Sequence, residues 1–194
     1  GGIFMFNYIS NKIVDFLINN NEIRSDDKEM YLYCVSTSLE MLFNIFITLL
    51  IGVLWGRFFK SILFLCMIIP LRSICGGYHA ERSGSCFFLS ILIYLQSVKL
   101  SDVIFLTPTI SLMVFVLLSL IVGIMTPVDS IHKVLKKEEK IKQRKSYMVL
   151  ISVIALILLS LIYLKKQDLY SLIIVIMFFT LLIPVSYTHL TLPT

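Results

Sequence analysis

Charge is scarce in this sequence: only 15% of its 194 residues are Asp, Glu, Lys or Arg, whereas 58% are hydrophobic. Soluble domains carry about 25% charged and about 45–50% apolar residues, so a water-soluble globule is excluded and a bilayer is the matching solvent. The four cysteines, Cys34, Cys66, Cys75 and Cys86, contain no Cys-x-x-Cys pair. That argues against a disulfide framework, and two of them lie in apolar runs where a thiol serves as a small hydrophobe. No nucleic-acid-binding motif and no internal repeat is present. The mean hydropathy of +0.91 comes from apolar runs along the whole length, more than one signal segment or one anchor would supply.

What is there reads as helices. Residues 6–30 are polar and mixed in charge, with Ile9, Ile13, Phe16 and Leu17 on one helical face; the pattern predicts an amphipathic helix at the membrane surface. Six hydrophobic segments follow: 31–55, 58–71, 86–98, 103–125, 147–164 and 169–185. A span needs about 20 residues, so segments 58–71 and 86–98 are short, and broken, tilted, re-entrant or loop-extended helices are all compatible with them. The expected fold class is therefore an all-α integral membrane protein of about six segments behind an amphipathic amino-terminal helix. Residues 1–185 are expected to form one domain. The closing stretch "SYTHLTLPT", 186–194, breaks the aliphatic pattern and resembles translated adapter sequence, while Met5 is a candidate native start.

Basic residues set the expected orientation. The loop "TPVDSIHKVLKKEEKIKQRKS", 126–146, holds Lys133, Lys136, Lys137, Lys140, Lys142, Arg144 and Lys145 and should be cytoplasmic by the positive-inside rule. With six crossings, the amino terminus and the 72–86 loop join it inside, and only Arg57, Lys60, Lys99, Lys165 and Lys166 remain outside. Arg57 and Lys60 together, and Lys165 and Lys166 together, strain that arrangement.

The chemistry collects in "RSICGGYHAERSGSC", 72–86. A thiol becomes a strong nucleophile as its thiolate, and a nearby imidazole can take the proton. His79 and Cys86 are seven residues apart, two helical turns if the intervening chain is helical. Cys75 is a rival nucleophile at i, i+4 from His79, but Gly76 and Gly77 follow it and oppose a regular helix there. The two glycines offer unshielded N–H groups for an oxyanion, or simply a tight turn. Cys75, His79 and Cys86 could instead ligate a metal, although the spacing fits no common zinc pattern and a fourth ligand is missing. The expectation is no metal and no cofactor. Three acids could orient the imidazole: Glu81 by sequence, Asp129 on the same side, and Glu40 within segment one, about 15 Å deep by helical rise. An acid there is costly unless paired or facing a polar cavity, so Arg72 or another polar group should meet it. His132 reads as a solvated loop histidine.

Both "RSICGGYHAERSGSC" and "TPVDSIHKVLKKEEKIKQRKS", in their order and separation, resemble the accessory gene regulator B proteins, membrane cysteine endopeptidases of Gram-positive peptide quorum sensing. The resemblance covers roughly Tyr8 to Pro184. It implies Cys86 as nucleophile and His79 as general base, with Arg72, Gly76 and Gly77 as supporting motif residues. It also implies a substrate, a small amphipathic propeptide cut near its carboxyl-terminal side through a thioester on the way to a cyclic autoinducer. The expected setting is the cell membrane of a Gram-positive bacterium, with the active site toward the cytoplasm and a homodimer as one candidate assembly. The competing reading is a non-catalytic transporter or scaffold for a small peptide.

Overall fold

The computed structural model describes residues 2–20, 22–75, 83–104, 106–125 and 137–190. Among them are seven α-helices and no strand: α1 (Gly2–Asn19), α2 (Lys28–Leu54), α3 (Phe58–Cys75), α4 (Ser83–Val103), α5 (Pro108–Met125), α6 (Lys137–Tyr163) and α7 (Gln167–Leu190), with a single 3-10 turn at Ser25–Asp27. The chain is an all-α membrane protein. Three helices, α2, α5 and α6, are long and apolar enough to cross a bilayer among the described residues.

Local chemistry explains the helix ends. Acidic Glu29 lies in the first turn of α2, Glu138 and Glu139 in that of α6, and Asp168 in that of α7, where the positive end of the helix dipole favours them. Pro108 opens α5, a position where its missing N–H costs nothing. Helix α2 closes through Gly56, whose φ of 65° lets the N–H groups of Gly56 and Arg57 turn back to the carbonyls of Val53 and Gly52, at 3.0 and 2.7 Å.

The two short hydrophobic segments are ordinary helices whose polar ends lengthen them. Helix α3 extends to Cys75 and α4 reaches from Ser83 to Val103, about 27 and 31 Å at 1.5 Å per residue. Both extend toward the loop, and α4 also extends beyond residue 98 at its other end.

The core is centred on α7. Its residues Tyr170 to Met177 are all buried, so these two turns are enclosed on every side, and the helix packs against α3, α4, α5 and α6. A helix that is hydrophobic all round belongs in such a position. By contrast, α2, α5 and α6 leave Phe46, Leu50, Val116, Leu120 and Leu156 exposed. Apolar exposure on this scale is what lipid tails cover.

Gly52 lets three helices meet. A methyl group there would collide with Ser61, approaching its Cβ to 2.8 Å, and would stand 3.3 Å from the Tyr94 hydroxyl. Ser61 and Tyr94 share a buried hydrogen bond of 2.6 Å between α3 and α4, so the small residue brings α2 against a polar pair that needs no water.

Beyond that contact lies an unexpected charge cluster. Lys60, 3% exposed, donates to Asp102, reaches Ser101 at 3.2 Å and lies 3.7 Å from Asp168. Arg57 adds a second pair to Asp102 at 3.0 Å. Two cations and two carboxylates thus meet where α3 and α7 begin and α4 ends. The two basic residues that strain the expected orientation are thus paired with carboxylates at this end.

The candidate active-site end of the bundle

Opposite the charge cluster, the bundle presents the end of α3, the start of α4, the end of α5 and the first half of α6. Ile74 of α3, Val122 of α5, Tyr147 of α6 and Leu181 of α7 pack together here, and the Tyr147 hydroxyl donates to the Ser119 carbonyl at 2.6 Å. Helix α6 starts at Lys137, ten residues before the hydrophobic segment read at 147. Its cationic stretch Lys140, Lys142, Arg144 and Lys145 is therefore a helical extension of a span, where the sequence reading had only a loop. It leaves the bundle at the same end as the 72–86 motif.

Cys86 occupies the first turn of α4, and Cys75 is the last residue of α3. Arg72 lies in the last turn of α3, and its guanidinium donates to Ser90 Oγ at 3.0 Å. Ser90 follows Cys86 by one helical turn, so this bond ties the two helices that flank the motif. Gly76, Gly77, His79 and Glu81, as well as Asp129 and His132, lie outside the described residues. The expected Cys/His constellation is therefore represented by its two flanking helices.

Glu40 has a different setting from the one its place in the sequence indicates. Helices α2 and α4 run in the same direction: the rings of Phe43 and Phe87 are 5.4 Å apart, and nine residues further on Gly52 meets Tyr94. That register puts Glu40 level with the first turn of α4, while α2 continues past it toward Lys28 with α1 packed alongside. Counted along the chain the acid is deep in a hydrophobic segment. Relative to its neighbours it stands at the mouth of the bundle, level with the residues that open α4 and up to one turn before Cys86. The first turns of α2 pair with α1 and project beyond the start of α4. Lys28 at the far tip of this hairpin bonds Asp15 of α1 at 2.8 Å.

Sequence reasoning missed two residues at this level. Ser90 gave no signal, being one hydroxyl in an apolar run. Asn44 stands one turn above Glu40, and its carboxamide oxygen is buried with no hydrogen-bond partner among the described residues. An amide within a hydrophobic segment was the available hint. No group of three or more His, Cys, Asp or Glu able to hold a metal occurs among the described residues.

The family model for accessory gene regulator B matches residues 10–184. The chain belongs to the accessory gene regulator B family. Its curated relatives include a putative AgrB-like protein of Clostridium perfringens strain SM101, 28% identical over an alignment that covers 71% of this chain and 65% of the relative. A putative AgrB-like protein 2 of Clostridium perfringens strain 13 is 26% identical over 73% of this chain and 69% of its own length. Protein FsrB of Enterococcus faecalis is 28% identical over 42% of this chain and 36% of its own length. The chain thus spans about two thirds of the first two relatives. No solved structure matches it. Membership in the accessory gene regulator B family agrees with the all-helical membrane architecture.

Proposed function

We propose that the chain is a membrane-embedded cysteine endopeptidase that removes the carboxyl-terminal tail of a small autoinducer propeptide and leaves the remainder as a thioester on Cys86. The observation that carries this reading is the position of Cys86 in the first turn of α4, at the end of the bundle that also holds Glu40, Arg72 and the cationic half of α6. Unpaired N–H groups and the helix dipole at an amino terminus favour negative charge, so the first turn of a 21-residue helix is a favourable place for a thiolate and for an oxyanion beside it.

In this mechanism His79 takes the thiol proton as the Cys86 sulfur bonds to the scissile carbonyl carbon and the π electron pair moves to oxygen. Collapse of the tetrahedral species breaks the C–N bond, and His79 returns the proton to the departing amine. A thiol or hydroxyl within the bound propeptide then attacks the thioester, closing a ring and restoring the Cys86 thiol. Holding both partners on one surface favours cyclisation over hydrolysis through proximity. Glu40, level with the residues that open α4, is the acid we assign to orient the imidazole. Arg72 acts through Ser90 to fix α4 against α3. The cationic extension of α6 faces the cytoplasm, beside anionic lipid and within reach of a propeptide's acidic tail.

Intact-mass spectrometry of the protein in lipid tests this, using a synthetic precursor encoded by a neighbouring small reading frame with an amphipathic leader, an internal cysteine or serine and an acidic tail. Wild type and Cys75→Ala are expected to release the tail and gain a thioester adduct, and Cys86→Ala and His79→Ala to do neither. Cleavage by Cys86→Ala would refute the nucleophile, and transport of intact peptide without any adduct would favour a carrier.

A further inference from the structure

Three cations of α6 stand without a counter-charge. Lys142, Arg144 and Lys145 are exposed, and none of them makes an ion pair or hydrogen bond among the described residues, whereas Arg57 and Lys60 at the other end of the bundle are both paired with Asp102. The Ser146 hydroxyl is likewise free among the described residues. Further along the same helix, Ser152 and Ser160 donate back to the carbonyls of Met148 and Ile157 at 2.9 and 2.7 Å. Two shallow grooves start from these groups. One has Lys142, Lys145 and Ser146 at its head and Val149, Leu150 and Val153 along its floor. The other joins Arg144 and Lys145 to Ile141, Met148 and Val149. Lys145 and Val149 line both, so they form a ridge with a groove on either side. The heads stand where the apolar run of α6 begins, beside Tyr147, whose hydroxyl is bonded to Ser119 of α5. Beyond them Met148, Val149 and Val153 are 69, 66 and 48% exposed, and Ser146 to Val153 covers about 10 Å along the axis, most of the roughly 15 Å of hydrocarbon in one leaflet.

We propose that α6 binds one anionic phospholipid of the phosphatidylglycerol class, its phosphate held by Lys142, Lys145 and Ser146 and its two acyl chains lying on either side of the Lys145–Val149 ridge. Charge and shape both select this occupant. A phosphate accepts from ammonium groups and from a free hydroxyl, and acyl chains match a floor of valine, leucine and methionine. A zwitterionic lipid brings its own ammonium group against three cations. Free phosphate would leave the grooves unfilled, and an acidic peptide would set carboxylates against their apolar floor. The proposal rests on α6 crossing the bilayer and stands whether or not Cys86 is a nucleophile.

Native mass spectrometry of the full chain in detergent micelles tests it, with phosphatidylglycerol and phosphatidylcholine of identical acyl chains as the two probes. Wild type should bind phosphatidylglycerol at least ten-fold more tightly. Each cation beside an anionic lipid contributes about five-fold in affinity, so Lys142→Gln combined with Lys145→Gln should bring the two lipids within three-fold of each other. Lys165→Gln combined with Lys166→Gln, at exposed positions of the opposite end, should leave the preference within two-fold of wild type. A phosphatidylglycerol with a diazirine in its acyl chain should cross-link within residues 148–153. Equal binding of both lipids by wild type overturns the proposal, as do cross-links confined to other segments. An equal loss in the Lys165/Lys166 variant overturns it too, by showing that net charge alone is read. Inorganic phosphate or hexaglutamate at the lipid's concentration should displace nothing. Displacement by phosphate would reveal an anion site independent of the grooves, displacement by hexaglutamate a peptide surface, and either result refutes a lipid site. None of these readouts involves peptide cleavage, so they are decided separately from the Cys86 and His79 mechanism.

Discussion

Gly56 and Lys165 end two helices by the same backbone device with unequal residues. Each adopts a left-handed conformation, φ 65° at Gly56 and 54° at Lys165. In each case the following N–H reaches back five residues, from Arg57 to Gly52 at 2.7 Å and from Lys166 to Leu161 at 3.0 Å. Glycine adopts this conformation freely, whereas a side chain there costs about 1–2 kcal/mol from the clash of Cβ with the carbonyl. Lys165→Gly should therefore stabilise the fold by about 1 kcal/mol, after allowing for the greater freedom of glycine in the unfolded chain. A raised midpoint of thermal unfolding in detergent would bear this out, and a lowered one would mean that the lysine side chain contributes contacts outweighing its strain.

At the scale of elements, the ends of helices do more than the middles. The charge cluster binds the beginnings of α3 and α7 to the end of α4, and Lys60 is nearly inaccessible within it. Removing one partner of a buried pair leaves an uncompensated charge and costs about 3–5 kcal/mol. Asp102→Asn should cost about 3 kcal/mol, because Asp168 at 3.7 Å retains part of the compensation. Restoration by the double change Lys60→Met with Asp102→Asn would distinguish loss of pairing from loss of packing; no loss of stability in the single variant would show that the cluster is solvated. At the other end, Arg72 and Ser90 make the corresponding link between α3 and α4, one turn from Cys86. Both ends of the α3–α4 pair are thus fixed by polar contacts, and the motif lies between two held helices.

For the whole molecule, the arrangement is one buried helix, α7, ringed by helices that face lipid, with charge separated by end. Cations paired with carboxylates occupy the end where α3 begins. The end where α4 begins carries the basic residues Lys140, Lys142, Arg144 and Lys145 of α6, and the proposed orientation, by the positive-inside rule, has that end in the cytoplasm. Single cysteines at Arg144→Cys and Lys165→Cys test this. In intact cells a membrane-impermeant maleimide should label residue 165 and spare residue 144, and in inside-out vesicles the pattern should reverse. Labelling of both from one side would mean that α6 does not cross, and the orientation assigned to the candidate site would be withdrawn.

Much of this was written in the chain itself. Hydropathy alone established an all-helical membrane protein, because a bilayer tolerates few alternatives to the helix. The spacing of His79 and Cys86 and the basic run after segment four were visible as motifs, since their residues are close in sequence. Tertiary structure decided what depends on distant partners. Lys60 and Asp102 are 42 residues apart, and neither residue signals the other. The height of Glu40 and Asn44 relative to Cys86 depends on how α2 slides along α4, set by Phe43 against Phe87 and by the absence of a side chain at Gly52. Segment length measures depth along one helix. Only packing tells where that helix stands against its neighbours, and a site built between helices is defined by that register.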